Sequence, residues 1–298
     1  MNKKRGITYA ILGCLFWGAS GTMAEFTFEH YAISPIWLVG VRLFFAGILL
    51  LLWYKAESRT SILEVWKVPK TGIGLAAFAF LGVVPSQLTY FMAIKHGNAP
   101  TATVLQFLGP IFIILFLAVS TRTAPRRIDV VSVIVALIGT FLLVTNGRLQ
   151  TLSLSPTALM WGIGAGLGQA SYTLLPRKLL QLYDTKLVVG WSMLIGSTLF
   201  LFFPQPLPAL SLPLIGNISF IIAFGTMFAY LFYLSSLRDI APTTTGMLSA
   251  FEPLTATILS LLFLGTLLSP AQLVGGCLIV STIFLQALPL KRILHLTK

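Results

Sequence analysis

Ten apolar runs of about twenty residues follow one another along the chain, and they leave little choice of fold. They lie at 7–28, 35–54, 71–94, 101–120, 128–146, 156–176, 187–204, 213–237, 243–264 and 270–288. A helix rising about 1.5 Å per residue needs runs of this length to cross about 30 Å of hydrocarbon. The connections between them are short, which leaves no room for a soluble domain. Only 9% of the 298 residues are charged and the mean hydropathy is +0.91, whereas a soluble domain carries roughly a quarter charged residues. Pro35, Pro100, Pro156, Pro213, Pro242 and Pro270 stand at or beside run starts, where a missing N–H does least harm. The predicted class is an all-α membrane protein with ten transmembrane helices.

The distribution of charge sets the orientation. With the N-terminus in the cytoplasm, 17 of the 20 Lys and Arg residues fall in cytoplasmic segments. Lys95 and Arg148 fall on the other side, and Arg42 lies within a run. One helix more or fewer would scramble this alternation, so the positive-inside rule supports both the count and cytoplasmic termini. The net charge of +12 is thereby explained without nucleic acid, for which there is neither a basic stripe nor a reading motif. The start, Met1 to Arg5 and then an apolar run, is longer than a signal-peptide core and reads as a retained first span. Cys14 and Cys277 both lie in apolar runs and read as packing residues.

The chain also repeats itself. Ala99-Pro100-Thr101 recurs as Ala241-Pro242-Thr243, 142 positions later, and Gly82, Tyr90 and Pro110 match Gly225, Tyr233 and Pro253, each 143 positions later. Ten spans split by this repeat give five per half, residues 1–150 and 151–298. Because five is odd, the halves cross in opposite directions. The prediction is a 5+5 inverted-topology repeat with a site between its halves.

Three ionisable residues fall inside the membrane, where a charge costs at least about 2.5–3.5 kcal/mol. Glu252 lies nine residues into its run, about 14 Å deep and near the midplane. It can bind a cationic group, carry a proton, or hydrogen-bond a neighbouring helix as a neutral acid. Pro253 follows it and frees a carbonyl one turn earlier. Arg42 lies about 10 Å deep and can hold a carboxylate, snorkel outward, or pair with Glu25. Glu25 and Arg42 are alternative gate or coupling residues beside Glu252.

The repeat then pairs polar positions. Gln87 and Tyr90 correspond to Tyr230 and Tyr233, and Gln106 and Gly109 to Ser249 and Glu252. Ala170-Ser171-Tyr172-Thr173, with Gln169 beside it, resembles Ala19-Ser20-Gly21-Thr22. Spacings of three and four residues keep each set on one helix face, and polar faces turn away from lipid. Trp17, Ser20, Gln87, Tyr90, Gln106, Gln169, Tyr172, Tyr230, Tyr233, Ser249 and Glu252 are therefore the candidate substrate-binding set; the alternative is interhelical bonding alone. An aromatic, weakly polar lining suits amphipathic or aromatic solutes, or organic cations. Gly162/Gly166 and Gly164/Gly168 are small-residue spacings for close helix packing or sliding, and Pro85 predicts a kink.

No metal or cofactor motif is present, and neither H-E-x-x-H nor G-x-S-x-G occurs. The histidines His30, His96 and His295 lie at loops or ends. An intramembrane enzyme or a non-transporting receptor is thus the weaker reading. The expected partners are a small-molecule substrate and the lipid bilayer, in a monomer of the cytoplasmic membrane.

Trp17-Gly18-Ala19-Ser20, the pattern from Pro35 through Arg42 to Ala46, Phe251-Glu252-Pro253, and Gly275-Gly276-Cys277-Leu278-Ile279 together resemble the drug/metabolite transporter superfamily, its EamA-type ten-span permeases. The chain departs from that pattern in reading Ala118-Val119-Ser120 and Gly265-Thr266 where the family often has Gly-Glu, and in carrying Glu25 where a basic residue is common. The resemblance implies a permease, commonly an exporter of amino acids, other metabolites or drugs. Import or uncoupled exchange of organic cations is the alternative.

Overall fold

The computed structural model describes residues 2–96, 99–152, 155–264 and 269–287. The side chain of Glu25, the pair Gly265-Thr266 and the basic residues Lys291, Arg292 and Lys298 lie outside the described residues. Every regular element among the described residues is helical. Chain order gives α1 (Lys3–His30), α2 (Pro35–Glu57), α3 (Pro69–Phe78), α4 (Val84–His96), α5 (Ala99–Gln106), α6 (Gly109–Thr121) and α7 (Arg127–Thr145). There follow α8 (Pro156–Leu174), α9 (Arg177–Leu182), α10 (Thr185–Ser197), α11 (Leu212–Ile222), α12 (Ala229–Ser236), α13 (Pro242–Leu248), α14 (Phe251–Leu264) and α15 (Pro270–Ala287). Prolines occupy the first turn of α2, α3, α6, α8, α11 and α13.

Seven helical segments among the described residues are long and apolar enough to cross a membrane: Lys3–Phe28, Pro35–Glu57, Pro69–Ala93, Ala102–Thr121, Arg127–Thr145, Thr185–Phe202 and Leu212–Ser236. The other three predicted windows are helical too, but differ from these for physical reasons. Window 156–176 forms α8, whose four alternating glycines and polar Gln169, Ser171 and Thr173 lower its hydropathy. Window 243–264 is broken into α13 and α14 at Ser249-Ala250. Window 270–288 forms α15, apolar over the shorter stretch Pro270–Thr282. The bundle is apolar outside, and its largely apolar core encloses a set of polar side chains. Phe116, Val119, Ile134 and Leu52 are exposed, while Arg42, Ser86, Gln169, Thr173, Thr226 and Ser249 are buried. Keeping such polar side chains off an apolar outer surface is what a hydrocarbon solvent demands.

Two segments change helix type midway. A π-helical turn at Ala79–Val83 joins α3 to α4, and another at Ala223–Phe228 joins α11 to α12. Gly82 and Gly225, already paired by the repeat, lie in these two turns. The following segments break at corresponding places, α5/α6 after Gln106 and α13/α14 after Leu248.

Helix contacts follow the same pairing. α2 packs on α10 and α7 on α15; α1 packs on α12 and α14, while α8 packs on α4 and α6. At the α2/α10 crossing a Cβ on Gly47 would lie 2.9 Å from Gly190 O and 2.9 Å from Leu194 N, and one on Gly190 would lie 3.2 Å from Gly47 O and 3.0 Å from Leu51. Gly47 and Gly190, like Leu51 and Leu194, are 143 positions apart. The α7/α15 crossing repeats this reciprocity with Gly139 and Gly275, each facing the other's carbonyl at 2.9 and 2.7 Å.

Candidate functional site

The polar residues predicted to face inward converge where α1, α4, α8, α12 and the α13/α14 break meet. The centre is a packed aromatic group. The Trp17 ring lies 5.1 Å from Tyr230 (edge-on), 4.9 Å from Tyr233 and 6.0 Å from Tyr172, and Tyr172 lies 5.7 and 5.5 Å from Tyr230 and Tyr233. α1 can bring Trp17 this close because Gly13 and Gly18 remove side chains from its inner face. A Cβ on Gly13 would lie 2.8 Å from Ala229 O, and one on Gly18 would lie 2.5 Å from Glu252 O. Ser20, buried, sits directly on Gly225.

The tyrosine hydroxyls are tied to other helices. Gln87 Nε2 donates to the Tyr230 hydroxyl at 2.7 Å, and Ser86 Oγ lies 3.3 Å from it. Thr173 Oγ1 lies 3.3 Å from the Tyr233 hydroxyl. Tyr90, half-buried, instead lies 3.3 Å from Thr103 Oγ1 on α5. The repeat partners Gln87 and Tyr230 are thus bonded to each other, whereas Tyr90 and Tyr233 have separate partners.

Gln169 joins α8 to the α13/α14 break. Its Nε2 donates to Ser249 Oγ at 2.7 Å, and the Ser249 hydroxyl donates to Gly246 O at 2.6 Å. Because the Ser249 proton is committed to that carbonyl, the bond fixes which end of the Gln169 amide faces Ser249. Gln169 Oε1 lies over Gly109, in space that any side chain there would fill. This oxygen is buried and has no hydrogen-bond partner among the described residues; nor has Trp17 Nε1. Gln106 is half-buried on α5, its carbonyl 3.4 Å from the space beside Gly166.

Glu252 stands in the first turn of α14, where the helix N-terminus favours negative charge. The carbonyl that Pro253 deprives of its usual donor, Ser249 O, is not left free: Glu252 N–H donates to it at 2.9 Å. The Glu252 side chain is half-buried and within electrostatic reach of Arg42, Tyr172, Tyr230 and Tyr233. Among the described residues none donates a hydrogen bond to its carboxylate.

Arg42 is buried, and its donors go to the second π-helical turn: Nε to Thr226 Oγ1 at 2.8 Å and Nη2 to Gly225 O at 3.2 Å. A π turn widens the helix and loosens its carbonyls, and Arg42 satisfies one of them. Sequence reasoning placed Arg42 inside but missed this partner. The first π turn is followed by Pro85, which gives a local signal; the second has none, and only the repeat could have indicated it. The glycines of α8 pack inward: Gly162 and Gly166 meet Leu105 on α5, while Gly164 meets Thr89 and Gly168 meets Ser86 on α4. They serve close packing here.

At one end of the bundle, Arg5 holds Asp239 in an ion pair at 2.7 Å, and Asn2 N–H donates to the same carboxylate at 2.8 Å. That pairing holds the Asp239 carboxyl below its ordinary range, chiefly through the Arg5 hydrogen bond, against an opposing burial effect.

Comparison with known proteins agrees with this architecture. The sequence profile of the EamA-like transporter family matches twice, over residues 4–145 and 156–288. The chain is 35% identical to an uncharacterized inner membrane transporter, YicL, of Salmonella typhimurium, over 97% of both chains. It is 23% identical to the uncharacterized transporter YwfM of Bacillus subtilis, over 95% of this chain and 94% of that one. A solved crystal structure with 18% identity superposes with a TM-score of 0.81 over 98% of this chain and 99% of the other, a likeness of fold. With two copies of the family's repeat spanning nearly its whole length, this chain is a multi-pass membrane protein that belongs to the EamA-like transporter family.

Proposed function

We propose that the protein is a secondary transporter that moves small organic solutes across the cytoplasmic membrane by alternating access, working as an exporter. The reading takes the ten helical windows as ten crossings, with both termini cytoplasmic and residues 1–150 and 151–298 as inverted halves. The reciprocal contact of Gly47 with Gly190, 143 positions apart, supports a two-fold relation between the halves, since a residue and its repeat partner touch across such an axis.

The observation that carries the reading is the cluster around Glu252. A half-buried carboxyl without a hydrogen-bond partner among the described residues, within electrostatic reach of Arg42, Tyr172, Tyr230 and Tyr233, is costly in a membrane interior. Such a group is best explained by a solute or proton that it meets in another step. Glu252 also has no acidic counterpart at Gly109, so the two halves would meet a solute differently. Polar bonds tie the halves together in this structure, among them Gln87–Tyr230 and Arg42–Thr226, and rocking of one half against the other would have to break or carry them.

Flux in proteoliposomes tests the proposal. Purified protein should give saturable, counterflow-competent uptake of at least one solute from a panel of amino acids, aromatic metabolites and organic amines, and Glu252→Gln should reduce it at least tenfold. Absence of flux across the panel would count against transport.

A further inference from the structure

We infer that the segment from Leu201 to Leu212, which joins α10 to α11, lies in the surface of the lipid bilayer, its leucine and phenylalanine side chains among the upper acyl chains. The partner is the apolar region of the membrane, whatever its headgroups. The topology proposed above supplies only the side, the outer leaflet.

The segment carries large apolar side chains that the described residues leave uncovered. Leu201, Phe202, Leu207 and Leu212 are each 79–83% exposed, and Phe203 and Leu210 are exposed as well. An exposed apolar patch of this kind marks a contact. From Leu187 to Leu237 the chain has no Asp, Glu, Lys or Arg, so no charge holds the segment in water. Its exposed side chains run on into exposed Ile215 and Phe224 of the following span, a surface that hydrocarbon covers. The corresponding loop of the first half, residues 58–68, lies 143 positions earlier and differs in both respects. It carries Arg59, Glu64 and Lys67. It also folds back on α10, where Trp191 Nε1 donates to Ile62 O at 2.8 Å and the Trp66 ring lies 5.3 Å from that of Trp191.

The backbone is suited to the same place. An irregular chain is costly in lipid because its polar groups need partners, and this one has few to satisfy. Pro204, Pro206 and Pro208 have no N–H. Phe203 N–H donates to Phe200 O at 3.2 Å. The Gln205 side-chain amide donates to Pro204 O at 3.2 Å, and its Oε1 accepts from Ser34 Oγ at 2.6 Å, which ties the segment to the start of α2. The N–H groups of Leu207, Ala209 and Leu210 have no partner among the described residues. Those groups need water, which sets the backbone at headgroup level and only the side chains in hydrocarbon. A second copy of the chain packed on this segment would shut that water out.

Spin labelling of the full-length protein in phosphatidylcholine nanodiscs tests this. In a cysteine-free background, labels at Leu207→Cys and Leu210→Cys should have a ratio of oxygen access to nickel-chelate access severalfold above that of a label at exposed Arg148→Cys. The ratio should approach that of Ile215→Cys, on the lipid-facing span. Leu207→Asp should lower the ratio at Leu210→Cys towards the Arg148→Cys value. Replacing a third of the lipid with phosphatidylglycerol should change neither ratio, because the segment has no charge to respond. Ratios equal to that of Arg148→Cys would overturn the inference by placing the segment in water. Poor access of both reagents with an immobilised spectrum would overturn it by placing the segment under protein, a second copy included. Ratios that follow lipid charge would overturn it too. A water-like ratio in protein that still gives saturable flux would leave transport standing. Lipid-like ratios with Arg148→Cys and Arg126→Cys labelled from one side of the cell would uphold the bilayer contact and overturn the proposed topology.

Discussion

Arg42 on α2 donates to Thr226 Oγ1 at 2.8 Å, inside the π-helical turn that joins α11 to α12. The same guanidinium reaches Gly225 O, and Thr226 Oγ1 itself lies 3.1 Å from Ile221 O, five residues back. A buried charge is thus used to hold a widened turn. Arg42→Met should destabilise the protein by about 1–3 kcal/mol, because a buried carbonyl and hydroxyl lose a charged donor. Thr226→Val should cost about 1 kcal/mol. Denaturation in detergent measures both, and hydrogen exchange over residues 223–229 should accelerate in Arg42→Met. Unchanged exchange there would sink the assigned role.

The two crossings where glycines face each other's carbonyls should tolerate no bulk. Gly47→Leu and Gly190→Leu should each lower stability by about 1–3 kcal/mol or more, the usual cost of overpacking. Gly216→Ala is the control, since nothing lies within 4 Å of a Cβ there. Melting temperatures in one detergent decide the comparison, and equal values for Gly47→Leu and Gly216→Ala would contradict the packing.

Gly109 and Gln169 form a lock of a different kind. Any side chain at 109 displaces the Gln169 amide, so Gly109→Ala should weaken the Gln169–Ser249 bond. A double-mutant cycle between Gln169→Leu and Ser249→Ala should give a coupling of about 0.5–1.5 kcal/mol, and Gly109→Ala should reduce it towards zero.

Asp239 supplies a pH dependence. Its carboxyl is held below its ordinary value of 3.8 by Arg5. A depressed folded-state value means that its contribution to stability is present above that ordinary value. The contribution falls as pH drops below 3.8 and is gone once the folded-state value is passed. Inactivation half-lives in detergent between pH 6 and 3 should show this loss. Asp239→Asn should be less stable at pH 6 and flatter with pH; a parallel profile would disprove the assignment.

Topology is open to direct measurement. In a cysteine-free background, single cysteines at Arg148 and Arg126 should label from opposite sides of intact cells with an impermeant maleimide, Arg148 from outside. Labelling of both from one side would refute ten crossings with cytoplasmic termini.

The repeat legible in Gly82/Gly225 and Tyr90/Tyr233 also anticipated where the backbone departs from regular helix. Pro85 announced an irregularity in the first half, which took the form of a π turn just before it. Its counterpart at Ala223–Phe228 has no proline, so local sequence carried no sign of it. The inward-facing set was readable because polar side chains spaced by three and four residues cannot face lipid. Which of them bond to one another was not, because Gln87 and Tyr230, or Gln169 and Ser249, meet only through packing between distant helices.

Composition and periodicity by themselves determined a helical membrane protein with a duplicated plan, because hydrocarbon solvent permits few alternatives to apolar helices. Helix crossings, the partners of Arg42 and the unsatisfied atoms of Trp17 and Gln169 were decided only in the tertiary structure. Hydrogen-bond partnership is set by distances of a few tenths of an ångström between elements far apart in the chain. No property of a single residue encodes those distances; the glycines that let the helices approach, Gly13 and Gly18 above all, help to set them.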